Sequence, residues 1–219
     1  MMAKKIGDVA LISLSSSDSN IYIIGDTVFD SGTGFNFVRL KTYMGFLKKE
    51  FGDFKQVFNT HGHFDHIGGN GYFFNAKKGI HEADAPIIEN ADEDTAVAEY
   101  FDGKMTPKKV DIKLKDGEKI SVGGKEFKVI HTPGHTSGSV CFYCEKEKLL
   151  ISGDIIFADG IGRTDLPGSD PNAMKKSLEK LSKLNIEKIL PGHGEVVMSG
   201  GSKLIAGFLK NNTVQEDEM

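Results

Sequence analysis

The sequence lacks the long apolar run of a membrane-spanning segment, and it lacks a block of basic residues. Its mainly apolar stretch at residues 9–14 is far shorter than the roughly 20 residues of a membrane helix. This stretch also follows Asp8, whereas the apolar core of a signal peptide follows positive charge. The 27 basic and 31 acidic side chains give a net charge of −4, without the basic patch that binds nucleic acid. We therefore expect a soluble, cytoplasmic protein with no membrane or nucleic-acid partner.

Cysteine is almost absent. The two that occur, Cys141 and Cys144, form a Cys-Phe-Tyr-Cys segment, a spacing that redox and metal sites also use. Residues 139–143, however, have the pattern of a buried strand, in which positions three apart face opposite sides. A disulfide between them would be geometrically awkward. We therefore predict two small core or half-buried residues without a redox role.

Internal repeats, low-complexity stretches and Pro- or Ser-rich linkers are also absent. A chain of 219 residues with 39% hydrophobic side chains can bury a large core, as one large domain or two small ones. Alternating apolar residues and turn signals predict strands at residues 9–14, 21–24, 28–30, 57–59, 119–122, 126–130, 140–143, 149–151 and 189–190. Helical periodicity predicts helices at about 37–50, 83–101, 172–184 and 203–210.

Five of the seven histidines fall in short blocks that are rich in turn residues. The blocks are residues 60–69 (THGHFDHIGG), 132–136 (TPGHT), 152–154 (SGD) and 191–194 (PGHG). Each places a His or Asp beside glycine, so the backbone can turn sharply and approach an ion closely. Side chains alternate along an extended segment, so His61 and His63 can reach one ion, and Asp65 and His66 a second. Because imidazole and carboxylate are the usual ligands of zinc and iron, the blocks predict a two-metal site.

The HxHxDH motif, followed along the chain by a His, an Asp and a further His, resembles the metallo-β-lactamase-fold superfamily over nearly the whole chain. Within it the chain is most similar to the small glyoxalase II-like (hydroxyacylglutathione hydrolase-like) hydrolases, because residues 162–170 (GRTDLPGSD) follow the SGD block. The resemblance implies an α/β fold of four layers, the αββα sandwich, over a single domain of residues 1–219.

The resemblance also implies a ligand set for two divalent metal ions. His61, His63 and His135 would hold the first ion, Asp65, His66 and His193 the second, and Asp154 would bridge both. Zinc is the expected metal, with iron or manganese as alternatives, because Asp154 makes the second site rich in oxygen. The familiar two-zinc lactamases carry cysteine at the position of Asp154, which argues against antibiotic hydrolysis.

The activity that this resemblance implies is hydrolysis of a thioester of the hydroxyacyl-glutathione type by a metal-bridging hydroxide. Asp65 would orient the hydroxide, and Arg163 would bind the substrate, a small acyl-thiol; a purely structural pairing of Arg163 with Asp165 or Asp170 is the alternative. Only 26 residues, 194–219, follow the last ligand, whereas glutathione-specific relatives carry a longer helical region, so another acyl-thiol carrier is an alternative.

Two further activities of the same fold stay open. A persulfide dioxygenase would hold a single iron with the residues matching His61, His135 and Asp154, and it shares the Gly-Arg-Thr-Asp segment. A lactonase or phosphodiesterase is the other alternative. Of the remaining histidines, we expect His81 at the surface or in a capping position, and His131 either in packing or in support of a ligand.

Overall fold

A computed structural model describes residues 4–214, and its strands form two sheets. The first sheet follows chain order: β1 (Lys4–Ile6), β2 (Val9–Ile12), β3 (Ile21–Ile24), β4 (Thr27–Phe29), β5 (Gln56–Phe58), β6 (Lys77–His81) and β7 (Ile112–Leu114). The second contains β8 (Lys119–Val122), β9 (Lys125–His131), β10 (Val140–Cys144), β11 (Leu149–Gly153) and β12 (Lys188–Pro191), with β8 and β12 at its edges. Neighbours from β1 to β4 are antiparallel, those from β4 to β7 are parallel, and β11 pairs with β12 in parallel.

The helices connect and cover these sheets. They are α1 (Phe37–Leu47), α2 (Phe64–Ile67), α3 (Ala85–Asn90), α4 (Pro171–Leu181) and α5 (Gly201–Val214), with 3₁₀ turns at Phe51–Asp53, Gly68–Tyr72 and Ala98–Phe101. Within residues 4–214 no helix combines the length and the apolar character that crossing a membrane requires.

The main core lies between the two sheets. Phe29 and Phe58 from the first sheet pack against Phe127 and Phe142 from the second, and the rings of Phe29 and Phe142 are 4.9 Å apart. Residues on β3 alternate between this core and the outer face, as a strand buried on both sides requires. Tyr22 faces the inner core, while the isoleucines beside it pack under α1.

Helices cover both outer faces. Leu40 and Met44 of α1 pack on the first sheet, and Leu178 of α4 and Ile205 of α5 pack on the second. The order helix, sheet, sheet, helix confirms the predicted αββα sandwich. Both faces of each sheet are covered by apolar packing, so polar groups that could form a site are expected in the loops at the sheet edges.

Several predicted elements differ from the structure. The helix predicted at residues 83–101 is wrong: α3 ends at Asn90, and Ala91, Val97 and Asp102 all have left-handed backbone angles that interrupt a helix. The strands β1, β6 and β7 were not predicted. The helix α1 stops at Leu47 rather than near residue 50, because Lys48 is left-handed.

The two cysteines are free and buried. Both lie on β10, where Cys141 packs in the cluster under α4 and α5 and Cys144 packs in the core between the sheets. They therefore face opposite sides of the sheet, as the sequence predicts, and cannot pair with each other.

Candidate metal centre

The strands deliver the predicted ligands to one edge of the sandwich. The chain enters the first histidine block just after β5 and continues into α2. Asp154 directly follows β11, and His193 follows β12 by two residues. His135 lies in the loop that joins β9 to β10. All these positions lie just beyond the carboxyl ends of strands, so one edge collects all seven ligand candidates.

The side chains of these residues converge. Three groups have potential ligand atoms that all lie within 4.8 Å of one another: His61, His63 and His135; Asp65, His66 and His193; and His61, His66 and Asp154. The structure thus brings together all seven residues of the set that the sequence resemblance implied. The first two groups are called the three-histidine group and the mixed group below.

Asp154 lies between these two groups. Its Oδ1 is 3.3 Å from His66 Nε2, and its Oδ2 is 3.6 Å from both His135 Nε2 and His193 Nε2. On the far side of the mixed group, Asp65 Oδ2 is 2.9 Å from His193 Nε2. A carboxylate in the position of Asp154 can reach toward both groups at once.

Several unpartnered polar atoms face the centre. Among residues 4–214, the Nε2 atoms of His61, His63 and His135 and the Oδ1 atom of Asp154 are buried without a hydrogen-bond partner. An unsatisfied buried polar atom costs roughly 1–3 kcal/mol, and four such atoms face one small region. Neutral imidazoles and a carboxylate are the donors that a divalent ion such as zinc or iron prefers, so the residues fit a metal centre.

Hydrogen bonds on the outer nitrogens fix three of the rings. His135 Nδ1 lies 2.9 Å from the backbone oxygen of Arg163 and donates to it. His66 Nδ1 is 2.9 Å from Asp30 Oδ2, and His61 Nδ1 is 3.0 Å from Thr60 Oγ1. With Nδ1 engaged behind the ring, Nε2 is the nitrogen that is directed at the centre.

Asp30 is a functional candidate that the sequence reasoning missed. It follows β4 directly, it is buried, and its φ of 57° is left-handed. Besides His66, its carboxylate accepts hydrogen bonds from the Thr60 backbone N–H at 2.8 Å and from Thr60 Oγ1 at 2.9 Å. The signal was present, because an aspartate that ends a buried strand in Phe-Asp-Ser-Gly is costly to bury without a purpose.

Two histidines of the three-histidine group, His61 and His63, are held neutral. Burial, together with the neighbouring imidazoles His66 and His63, holds the pKa of His61 well below its usual range. Burial also lowers the pKa of His63 to about 3, with His135 as the next cause. A neutral imidazole is the form that binds metal.

In the mixed group, neighbouring charges outweigh burial in setting the pKa values. Burial opposes charge on His66, but Asp30, Asp65 and Asp154 outweigh it and raise its pKa well above the usual value. The pKa of His193 is also raised, because Asp154 and Asp65 outweigh its burial. For Asp154, burial acts to raise the pKa, but the neighbouring His66 and His193 outweigh burial, and the pKa of Asp154 is lowered.

Two glycines permit this packing. A Cβ atom on Gly192 would collide with Asp154 Oδ1 and lie 2.8 Å from the His66 ring. A Cβ atom on Gly162 would collide with the backbone oxygen of Asp154. Close approach of backbone to ligand therefore requires glycine at both positions.

Arg163 extends from the rim of the centre. Its guanidinium is exposed and forms two hydrogen bonds to Asp165, at 2.9 and 2.8 Å. Its backbone oxygen holds His135, as described above, so the side chain starts from a fixed point beside the three-histidine group. Asp170, the other partner considered from sequence, instead caps α4 by accepting from the backbone of Asn172 and Ala173.

The two remaining histidines lie outside the centre and stack on each other. The rings of His81 and His131 are 4.0 Å apart and 13° from parallel. His81 is buried, so a surface position is wrong, and the pairing with His131 across the two sheets covers its ring. Its Nδ1 accepts a hydrogen bond from the Ala83 backbone N–H at 3.3 Å, a contact of the kind that the alternative capping position predicts. His131 Nε2 lies 2.9 Å from the backbone oxygen of Ser137, in the loop that carries His135.

Comparison with known sequences finds related proteins over most of the chain. A probable metallo-hydrolase of Methanocaldococcus jannaschii is 35% identical over 192 residues, which cover 82% of this chain and 89% of that protein. A hydroxyacylglutathione hydrolase, GloC of Haemophilus influenzae, is 31% identical and covers 73% and 77%. An uncharacterized protein of Aquifex aeolicus is 40% identical over 134 residues, covering 59% of this chain and 63% of that protein.

Comparison with solved structures also finds similar proteins over most of the chain. The crystal structure of TTHA1623 in a di-iron-bound form superposes with a TM-score of 0.75 at 28% identity, covering 90% of this chain and 97% of that one. The family model of the metallo-beta-lactamase superfamily matches residues 14–193, a span that includes all seven converging side chains. The protein is therefore a metallo-hydrolase that belongs to the metallo-beta-lactamase superfamily.

Proposed function

We propose that the protein hydrolyses a thioester of the hydroxyacyl-glutathione type, or of a closely related acyl-thiol, at a centre of two divalent ions. The observation that carries this proposal is Asp154 lying between the three-histidine group and the mixed group, within 3.6 Å of histidines from both. The similarity to a hydroxyacylglutathione hydrolase supports the substrate class.

The ligand assignment is part of the proposal. His61, His63 and His135 would hold one ion, Asp65, His66 and His193 the other, and Asp154 both. Zinc or iron fits this donor set, and the di-iron form of TTHA1623 supports iron as an alternative to zinc. Two such ions lower the pKa of a shared water and polarise a carbonyl oxygen.

The side chains around the centre have complementary tasks in this proposal. Asp65, whose Oδ2 is 2.9 Å from His193 Nε2, orients the attacking water by accepting its hydrogen bond. The side chain of His193 is 31% exposed, so substrate enters on this side. A thiolate leaves readily because the pKa of a free thiol is about 8.5, so the centre needs no separate general acid.

Arg163 is proposed to bind the carrier portion of the substrate. Its guanidinium is 61% exposed and lies on the loop whose backbone oxygen holds His135. A planar guanidinium can form paired hydrogen bonds with a substrate carboxylate, in exchange for its pairing with Asp165.

A combined metal and activity measurement tests this function. Protein purified with ample zinc or iron is analysed for metal content and assayed with a hydroxyacyl-glutathione thioester and with glutathione persulfide. We expect about two metal equivalents per chain and thiol release without oxygen uptake. One tightly bound iron with no second site, together with oxygen consumption on the persulfide, would instead establish a dioxygenase and refute the hydrolase.

A further inference from the structure

A buried carboxylate outside the ligand set connects the two loops of the three-histidine group. Asp84 precedes α3 and is 0% exposed. Its Oδ2 accepts hydrogen bonds from the Gly62 backbone N–H at 2.9 Å and from Thr136 Oγ1 at 2.7 Å. Its Oδ1 accepts from the Gly138 N–H at 2.6 Å and from Ser137 Oγ at 3.4 Å.

The positions of these donors give Asp84 its significance. Gly62 lies between His61 and His63, in the loop after β5 of the first sheet. Thr136 and the two residues after it directly follow His135, in the loop between β9 and β10 of the second sheet. One carboxylate therefore fixes the distance between two loops from different sheets, and these two loops carry all members of the three-histidine group.

We propose that Asp84 is a positioning residue that presets the three-histidine group for its metal ion. This inference rests on the proposed metal centre, and it concerns how tightly that group binds rather than which substrate is cleaved. Asp84 acts through the backbone and hydroxyl groups beside the ligands, and it touches neither metal nor substrate.

Charge gives a second reason for a carboxylate at this position. The three imidazoles are neutral ligands, so they contribute no negative charge to balance a divalent ion. Burial raises the pKa of Asp84, and the hydrogen bonds from its four donors act against this increase. In its ionised form Asp84 adds a negative charge behind the loops of the three imidazoles, where the low dielectric strengthens its attraction for a cation. Asp30 has the corresponding place behind the mixed group, where it bonds directly to His66.

Asp84 packs closely against the backbone of Gly138. A Cβ atom on Gly138 would lie 2.5 Å from both the backbone nitrogen and Oδ1 of Asp84. In Asp84→Asn, one oxygen becomes an amide nitrogen that cannot accept, so about half of the four hydrogen bonds are lost while the volume is kept.

The test is zinc titration of metal-free protein, followed by NMR of the histidine ring nitrogens, which reports each group separately. We expect Asp84→Asn to weaken zinc binding at His61, His63 and His135 by about 10–100-fold, with a smaller effect at the mixed group. Asp30→Asn should show the opposite preference. The matched control is Asp92→Asn, because exposed Asp92 also accepts from a backbone N–H and a hydroxyl, both of Thr95, and it should change neither affinity.

Thermal melting of the metal-free variants separates positioning from simple stabilisation. If Asp84→Asn melts at a lower temperature but binds zinc at the three-histidine group as tightly as wild type, the inference is wrong. Thr136→Val keeps the test available if Asp84→Asn does not fold. It removes one donor and should weaken zinc at the same group several-fold, whereas Thr136→Ser keeps the hydroxyl and should bind as wild type does. An unchanged Thr136→Val would also overturn the inference.

The outcome is independent of the substrate. If wild type binds zinc at both groups but cleaves no thioester, the proposed function fails, and the Asp84 titration still decides the inference. If thioester cleavage is confirmed and Asp84→Asn matches wild-type zinc affinity, only the inference fails.

Discussion

The three-histidine group and the mixed group lie side by side at one edge of the sandwich but differ in charge and in access. His61 and His63 are buried, and their pKa values are lowered. In the mixed group the pKa values of His66 and His193 are raised by the surrounding carboxylates, and His193 is partly exposed. His61 and His63 can therefore accept a cation without releasing protons, whereas His66 and His193 hold protons that a cation must displace.

This difference indicates a division of tasks. A neutral, enclosed ligand set favours permanent binding of one ion, since neither solvent nor protons compete strongly for it. A charged, more open set suits an ion that meets water and substrate. The fold produces the difference through burial and through its carboxylates. Burial and neighbouring imidazoles lower the pKa values of His61 and His63, whereas Asp30, Asp65 and Asp154 raise that of His66.

Among these variants, Asp154→Ala should have the largest effect, because this carboxylate approaches both groups. We expect hydrolysis to be lost and metal content to fall at both groups, as measured by metal analysis and thioester assay. Cys141→Ser is the matched control: Cys141 is also fully buried, but it lies under α4, and turnover should stay within a few-fold of wild type. Loss of metal from one group only would show that Asp154 does not bridge.

Arg163→Ala tests whether the Arg163 side chain binds substrate without affecting metal binding at either group. Because His135 is held by the backbone oxygen of Arg163, removing the side chain should leave metal content and kcat little changed. We expect KM for a negatively charged thioester to rise about tenfold, as for lost uniform binding, with little effect on a neutral thioester. Asp165→Ala, which removes both acceptors of the guanidinium, should not raise KM for the charged thioester.

A different result for Arg163→Ala would assign it a structural role. Equal loss of kcat for the charged and the neutral thioester, with a lower melting temperature, would mean that the Arg163–Asp165 pair holds the loop. The carrier would then be bound by other residues of the rim.

His81→Gln tests how a buried histidine outside both groups affects the pH dependence of stability. Burial and the stacked His131 lower the pKa of His81 to about 4; Lys180 acts in the same direction, and Glu82 and Asp116 oppose it. The unfolded chain, with a pKa near 6.5, therefore binds a proton at a pH where the native protein does not. This stabilisation is present above pH 6.5 and is lost as pH falls toward 4.

We expect this loss to be about 1–2 kcal/mol, after allowing for solvent screening, and to be smaller in metal-free His81→Gln, as measured by denaturant unfolding at several pH values. His131→Gln is the matched variant, because it removes the neighbouring imidazole but leaves His81 in place, and it should raise the pKa of His81. An identical pH dependence in wild type and His81→Gln would contradict the expectation.

The sequence predicted the ligand candidates because their pattern is local. His61, His63, Asp65 and His66 lie within six residues, and turn residues mark each block. Asp30 and Asp84 could not be identified in this way, since their partners lie 22 to 54 residues away along the chain. The position of Asp30 at the end of a buried strand is a signal in the sequence, but the partners of both carboxylates become known only from the fold.

Strands that lack a local sequence pattern also could not be predicted, as β6 shows. β6 has the sequence Lys-Lys-Gly-Ile-His, with little apolar alternation, and it is a strand because β5 and β7 pair with it on both sides. In the segment after it, a composition rich in alanine and glutamate favoured one long helix. The chain instead turns at Ala91, Val97 and Asp102. Its buried residues pack around Phe64 of α2, the helix that carries Asp65 and His66.

The burial of both cysteines has a consequence for thiol–disulfide chemistry. Burial raises the pKa of the Cys141 thiol to about 12, and Cys144 is 2% exposed, so the folded chain offers no accessible thiolate. A thiol released by hydrolysis therefore has no sulfur on the enzyme with which to form a mixed disulfide. A chromogenic disulfide reagent can accordingly be present throughout turnover, and its colour will report the leaving group alone.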